Sequence, residues 1–237
     1  MFGVLATGCS SEDPGVSLAM QLAHVPASGT AQSGTDRTVT RPNGDLIRIT
    51  RGHVNVESLE IFACPPTAWM RLRDALSPIA TARAHTQGSP TKIGVPHVDD
   101  LLRNDTQSMT LGTLKPPADR YCRAVVAFAP ADDDAEGLPT AVPMSGQTLW
   151  LEGTVTPSGG GTPQPFQLTS AEEAEADVQF TAAGAAAPVA LTTAGVARNG
   201  QVVLRYDRWF ETVDPLAPDA ADALVSAIAQ SVDLKGD

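Results

Sequence analysis

Apolar and polar residues alternate along much of this chain, which is the pattern of strands that bury one face. Alternation is strict in the first such segment, where Val16, Leu18, Met20 and Leu22 share a face. Further strand-like segments follow in the second half of the chain: 121–128, 148–153, 166–169, 174–180, 189–192 and 201–206. Spacings of this kind are typical of a β-sandwich or barrel.

One long extended stretch, 46–62, changes phase part-way along. Val54 and Val56 share one parity, whereas Leu59 and Ile61 share the other. The change predicts a bulge near Ser58.

The segment Tyr121–Phe128 is apolar on both faces, which predicts a central position in the sheet. Residues 26–45 are rich in Ser, Thr, Gly and Asp, which predicts a loop or a weak hairpin.

Helical periodicity is confined to two segments. A short helix is expected at 68–76, with Thr67 as its N-cap, and a second helix near the C-terminus carries an apolar stripe from Ala221 to Val232. Residues 79–113 show no clear period and are expected to form a long loop. The pattern therefore predicts a mainly β chain, an antiparallel β-sandwich of about seven to nine strands, forming one domain over 16–237.

The N-terminal segment 1–15 is predicted to be a truncated lipoprotein signal and tether. Leu5-Ala6-Thr7-Gly8 before Cys9 has the small residues of a lipoprotein processing site, and a polar stretch follows it. A basic n-region is missing, so we expect the true start further upstream. Alternatively, this is a hydrophobic N-terminus with one buried thiol. Lipidation at Cys9 would place the protein in the bacterial envelope, in the periplasm or at the outer membrane; secretion is the other expectation.

Charge and cysteine content narrow the class of protein. The net charge of −11 disfavours nucleic acid as a partner, because the phosphate backbone would be repelled. Once Cys9 is assigned to the lipid, Cys64 and Cys122 remain as a pair at the ends of strand-like runs. In an oxidising compartment we expect a disulfide between them; the alternative is two buried free thiols.

Four histidines are the only candidates for ligating a transition metal: His24, His53, His85 and His97. None forms a short-range ligand spacing, so the fold would have to assemble any site. His85 and His97 lie in the long loop and are the favoured ligands, although two surface histidines would look the same. The acidic run 132–137 begins like a calcium loop, but Pro143 stands where the closing glutamate belongs, so a solvated turn is expected. Because no nucleophile–base or paired-acid motif is present, we expect a non-enzymatic binding protein.

The order of motifs resembles the MbnP-like family of exported copper-binding proteins. The stretch from His53 to Ile61 is similar to the family's YVSNVRL strand, and Leu114–Val125 is similar to its LPPGxYxxL turn, with Ala118-Asp119 in place of the glycine. The resemblance implies a β-sandwich with a surface copper site.

In the family, that copper site is built from histidines and a tryptophan that a partner dihaem peroxidase oxidises to kynurenine. Trp150 falls near that tryptophan's place. Gln167 stands where the family has a histidine, so copper would have to recruit His53, His85 or His97. The alternative function is a structural or interaction lipoprotein with no small-molecule ligand.

Overall fold

The computed structural model describes residues 16–27, 31–32, 34, 36–65, 89–105, 107–191 and 197–236. Within these ranges it contains fourteen strands and one α-helix, so the predicted mainly β chain with a C-terminal helix is confirmed. The elements are β1 (Ser17–His24), β2 (Arg37–Thr40), β3 (Leu46–Ala63), β4 (Lys92–Ile93), β5 (His97–Asp100), β6 (Ser108–Leu114), β7 (Asp119–Phe128), β8 (Leu149–Thr156), β9 (Gln164–Ser170), β10 (Ala174–Ala182), β11 (Ala185–Ala186), β12 (Val189–Leu191), β13 (Ala197–Leu204), α1 (Ala220–Gln230) and β14 (Val232–Gly236). Cys9, the signal and the helix expected at 68–76 lie outside the described residues.

All these strands belong to one sheet that curls into a half-barrel, in the order β6-β1-β13-β14-β10-β7-β3-β8-β9. Strand β10 joins its two halves, because Ala174–Gln179 pairs with β7 whereas Phe180 and Thr181 pair with β14. Most neighbours are antiparallel, as expected, but β1 with β13 and β10 with β14 are parallel. The two layers expected of a sandwich are thus connected by backbone hydrogen bonds.

Strand β3 is the centre of the half of the sheet that contains β7, β8 and β9. It pairs with β8 over its first part, with β7 over its second part and with β5 in between. The register with β7 shifts between Val56 and Ser58, which confirms the predicted bulge. Strand β7 lies between β10 and β3, so its predicted central position is also confirmed. The segment 26–45 contributes the hairpin of β2 with β3.

The concave interior holds the main hydrophobic core, which α1 covers with Leu224, Val225 and Ile228. The expected helix was too long at its C-terminal end. Ser231 caps the helix by donating to the Ile228 carbonyl, and Val232 opens β14, which pairs with β13. Val232 is buried in the strand as it would have been on the helix stripe, so the apolar pattern alone did not distinguish the two.

A second, smaller hydrophobic cluster lies on the opposite face of the sheet. Residues 129–147, which we call the cover loop, fold over β3, β5 and β8. The cluster consists of Val98, Ala131, Ala135, Val142, Met144 and Trp150. It is separate from the main core, so the cover loop contributes little to the packing of the interior.

Two further expectations concern the segments around β4 to β7. Cys64 and Cys122 form a disulfide, with their Cα atoms 4.8 Å apart, as predicted. The expected long loop at 79–113 instead contributes β4, β5 and β6 in its described part. Strands β4 and β5 are two and four residues long, too short for alternation to be recognised.

Candidate functional site

Three side chains form a row across the outer face of the sheet, beside the cover loop. His53 on β3 lies opposite Asp100 of β5 on one side and opposite Trp150 of β8 on the other. The Cβ atoms of such directly opposed residues lie about 4.5–5.5 Å apart. We call this set the outer-face row. The fold thus brings together two residues that the sequence suggested separately, His53 and Trp150, and adds Asp100.

His53 combines a lowered pKa with a ring nitrogen that has no partner among the described residues. Burial lowers its pKa, and the carboxylates of Asp100 and Asp99 act in the opposite direction with smaller effects. Its Nδ1 atom is buried and has no hydrogen-bond partner among the described residues. Neutral imidazole is the form that ligates metal ions.

Trp150 is an interior residue and not part of an open surface. It is 5% exposed and packs in the small cluster with Val142 and Met144 of the cover loop. A molecule approaching the face of the indole that the loop covers would therefore have to displace part of the loop.

His97 lies on β5 opposite Val56, three register positions from His53. Three positions along a strand correspond to about 10 Å. Both of its ring nitrogens already have neighbours: Nδ1 is 2.7 Å from the Val95 carbonyl, and Nε2 is 3.1 Å from a Glu136 carboxylate oxygen. His97 therefore helps to hold the cover loop on the sheet and lies away from the outer-face row.

The remaining site predictions are spread over the chain. His85 lies outside the described residues. Gln167 on β9 is opposite Glu152, one row away from Trp150 and His53. Within the described ranges, no group of three or more His, Cys, Asp and Glu side chains is close enough to hold a metal ion. The outer-face row by itself offers one imidazole and one carboxylate.

Sequence reasoning missed two buried polar clusters, the first at the end of β1. His24 is 1% exposed, and its Nε2 contacts the carboxylate of Asp99. The Asp99 carboxylate also pairs with Arg103, whose Nη1 is 2.8 Å away. A signal was present, because His24 continues the inward-facing series of Met20 and Leu22 along β1.

A second buried ionic cluster joins β2 to the turn after β13. Asp105 accepts a hydrogen bond from the Tyr206 hydroxyl at 2.8 Å, and one of its oxygens is 3.2 Å from Arg37 Nη2. The Arg37 guanidinium lies 5.7 Å from the centre of the Tyr206 ring. Burial and the neighbouring Asp105 raise the pKa of Tyr206 well above its usual value. With these side chains enclosed, the cluster serves folding and offers no binding surface.

An open acidic cleft of about 270 Å³ lies at the start of α1. Its carboxylates are Glu172, Glu173, Asp219 and Asp222. Asp222 accepts a hydrogen bond from the Ser170 hydroxyl at 2.7 Å, which ties the helix to the end of β9. The cleft would repel anions and attract basic groups.

Three comparisons with known proteins found no relative of this chain. No family model, curated protein or solved structure matches the chain. In the part of the chain that the structure describes, no helix has the length and apolar character needed to cross a membrane.

Proposed function

We propose that this chain is an exported bacterial envelope protein that binds copper and catalyses no reaction. The observation that carries the proposal is the placement of His53 directly opposite Trp150, with an imidazole nitrogen that has no hydrogen-bond partner in the part of the chain that the structure describes. A histidine beside a tryptophan is also what the resemblance to the MbnP-like family implies for a copper site. In this proposal His53 takes the role of the ligand that Gln167 cannot supply.

The donors of the outer-face row suit copper in part. Imidazole nitrogen binds copper well, and a carboxylate can complete a Cu(II) site. Asp100 accepts the Leu102 N–H through Oδ1 at 2.9 Å, which orients its side chain and leaves Oδ2 for a ligand role. The sequence predicts His85, which lies outside the described residues, as a further ligand, so the proposed ligands are His53, Asp100 and His85.

Export is supported by the disulfide between Cys64 and Cys122, because such bonds persist mainly in oxidising compartments. The proposal includes a lipid anchor at Cys9 that holds the protein at the membrane. It also includes a dihaem peroxidase as the partner that would modify Trp150. Access of that partner to Trp150 would require the cover loop to move.

Calorimetric titration of metal-free protein with Cu(I), Cu(II) and Zn(II) tests the copper proposal. We expect copper binding tighter than about 10 μM, weakened at least tenfold by His53→Ala and by His85→Ala. His97→Gln is the matched control, because it removes an imidazole that lies three register positions from His53, about 10 Å along the strand. Equal binding by wild type and His53→Ala would contradict the proposal.

The alternative is a structural or interaction lipoprotein with no small-molecule ligand. The acidic cleft at the start of α1 favours this alternative, because its four carboxylates suit a basic segment of a partner protein. Failure of copper to bind, together with salt-sensitive capture of a basic partner that Asp219→Asn weakens, would favour it over the copper proposal.

A further inference from the structure

The cover loop hides a pair of polar side chains that have no solvent exposure. Asn55 on β3 and Thr148, immediately before β8, are neighbours, since the Asn55 N–H donates to the Thr148 carbonyl at 2.8 Å. Both side chains are directed to the outer face, because Val54 and Leu149 beside them belong to the main core. The Asn55 Nδ2 donates to the Ala129 carbonyl of the cover loop at 2.9 Å, and this bond fixes the orientation of the amide.

This orientation leaves two polar atoms without a hydrogen-bond partner among the described residues, Asn55 Oδ1 and Thr148 Oγ1. Both residues are 0% exposed. An unsatisfied buried polar group lowers the folding equilibrium constant by about fivefold or more. Two of them side by side indicate a shared partner, because native proteins satisfy almost all their buried polar atoms.

We propose that one water molecule is permanently bound between Asn55 and Thr148 and helps to hold the cover loop on the sheet. The hydrogen bonds balance: the Thr148 hydroxyl donates to the water, and the water donates to Asn55 Oδ1. Buried waters typically make two to four hydrogen bonds, and these two side chains supply one donor and one acceptor for the water.

A bound cation is the less suitable occupant. It would coordinate both oxygens but leave the hydroxyl hydrogen of Thr148 without an acceptor. Water satisfies the donor and both oxygens together. The consequence is that Asn55 links the cover loop to β8 through the water, independently of whether copper binds at the outer-face row.

The test combines a high-resolution crystal structure with hydrogen exchange of the full chain. We expect an ordered water within about 3 Å of both Asn55 Oδ1 and Thr148 Oγ1. In Thr148→Val we expect amide exchange at Ala131 and Gly146, whose N–H groups close the ends of the cover loop, to accelerate about fivefold. Thr154→Val, the same change further along on β8 and away from the pair, should leave both rates unchanged.

Thr148→Ser provides a second variant, because it keeps the hydroxyl and should keep both the water and the slow exchange. A direct hydrogen bond from Thr148 to Asn55 without water would overturn the proposal. So would a metal ion at the site, or exchange in Thr148→Val that is no faster than in wild type, which would mean that the hydroxyl has no partner in the native protein.

Discussion

Removing Asp105 should destabilise the protein more than almost any other single polar substitution in the described chain. Its carboxylate accepts hydrogen bonds from Tyr206 and from the backbone N–H of Gln32, and it is the acidic partner of Arg37. Arg37 is 1% exposed, and its Nε and Nη1 atoms have no hydrogen-bond partner among the described residues. The negative charge of Asp105 is therefore the main compensation for a guanidinium enclosed in the fold.

We expect Asp105→Ala to lower the free energy of unfolding by about 3–5 kcal/mol, the usual cost of leaving one partner of a buried pair without the other. Most of this cost comes from the abandoned charge of Arg37, so the double variant Arg37→Met/Asp105→Leu should recover much of the loss. Urea denaturation followed by circular dichroism measures both effects.

Asp177→Ala is the matched control for this cycle. Asp177 pairs with Arg123 at 2.8 Å, but the side chains are 62% and 41% exposed, so the loss should be under about 1 kcal/mol. The reasoning would be refuted if Asp105→Ala cost no more than this control, or if the double variant were as unstable as Asp105→Ala alone.

Four further outcomes are expected. Replacing Cys64 and Cys122 by alanine should lower the free energy of unfolding in urea by about 4 kcal/mol, since the disulfide joins residues 58 positions apart in the sequence. An unchanged urea midpoint would show that the disulfide does not constrain the unfolded chain. Because burial lowers the pKa of His53 below its usual 6.5, its contribution to stability is complete above pH 6.5 and is lost as the pH falls through the lowered pKa; His53→Gln should flatten that part of the acid profile. The raised pKa of Tyr206 has its effect at alkaline pH: the contribution of Tyr206 to stability is complete below pH 10 and is lost at higher pH. Tyr206→Phe should therefore reduce the loss of stability at alkaline pH, measured by thermal unfolding. The lipid anchor proposed at Cys9 predicts that the protein fractionates with membranes, and a Cys9→Ser variant that still does so would contradict lipidation.

Local patterns predicted the strands of this fold well, because each depends on residues that are close together in sequence. The alternation from Val16 to Leu22 became β1, and the phase change in 46–62 became the bulge between Val56 and Ser58. The apolar run Tyr121–Phe128 became a central strand. The parallel pairings of β1 with β13 and of β10 with β14 left no comparable trace, because they depend on how the whole sheet curls.

For the candidate site, too, the sequence indicates the chemistry of single residues but not which residues the fold brings together. A histidine is recognised as a candidate ligand from its chemistry, but its neighbours are decided by strand register. His53 meets Trp150 only because β3 and β8 pair in one register, and a slip of one residue would direct the two side chains to opposite faces. His97, favoured by its place in an apparent loop, is instead held in a short strand by Val95 and Glu136.

The contacts of the buried polar groups explain why the outer-face row, and not the most polar part of the molecule, is the better candidate for binding. His24 contacts Asp99 and Arg37 pairs with Asp105 inside the fold, so each pair is already used in holding strands together. His53 differs in its place: its Nδ1, like that of His24, is buried with no hydrogen-bond partner among the described residues, but it lies on the outer face beside Asp100 and Trp150. Burial of such a nitrogen costs stability, and a bound ligand would recover that cost. The single most informative measurement is therefore the melting temperature of wild type and His53→Ala with and without copper, since only the wild type should gain stability from the metal.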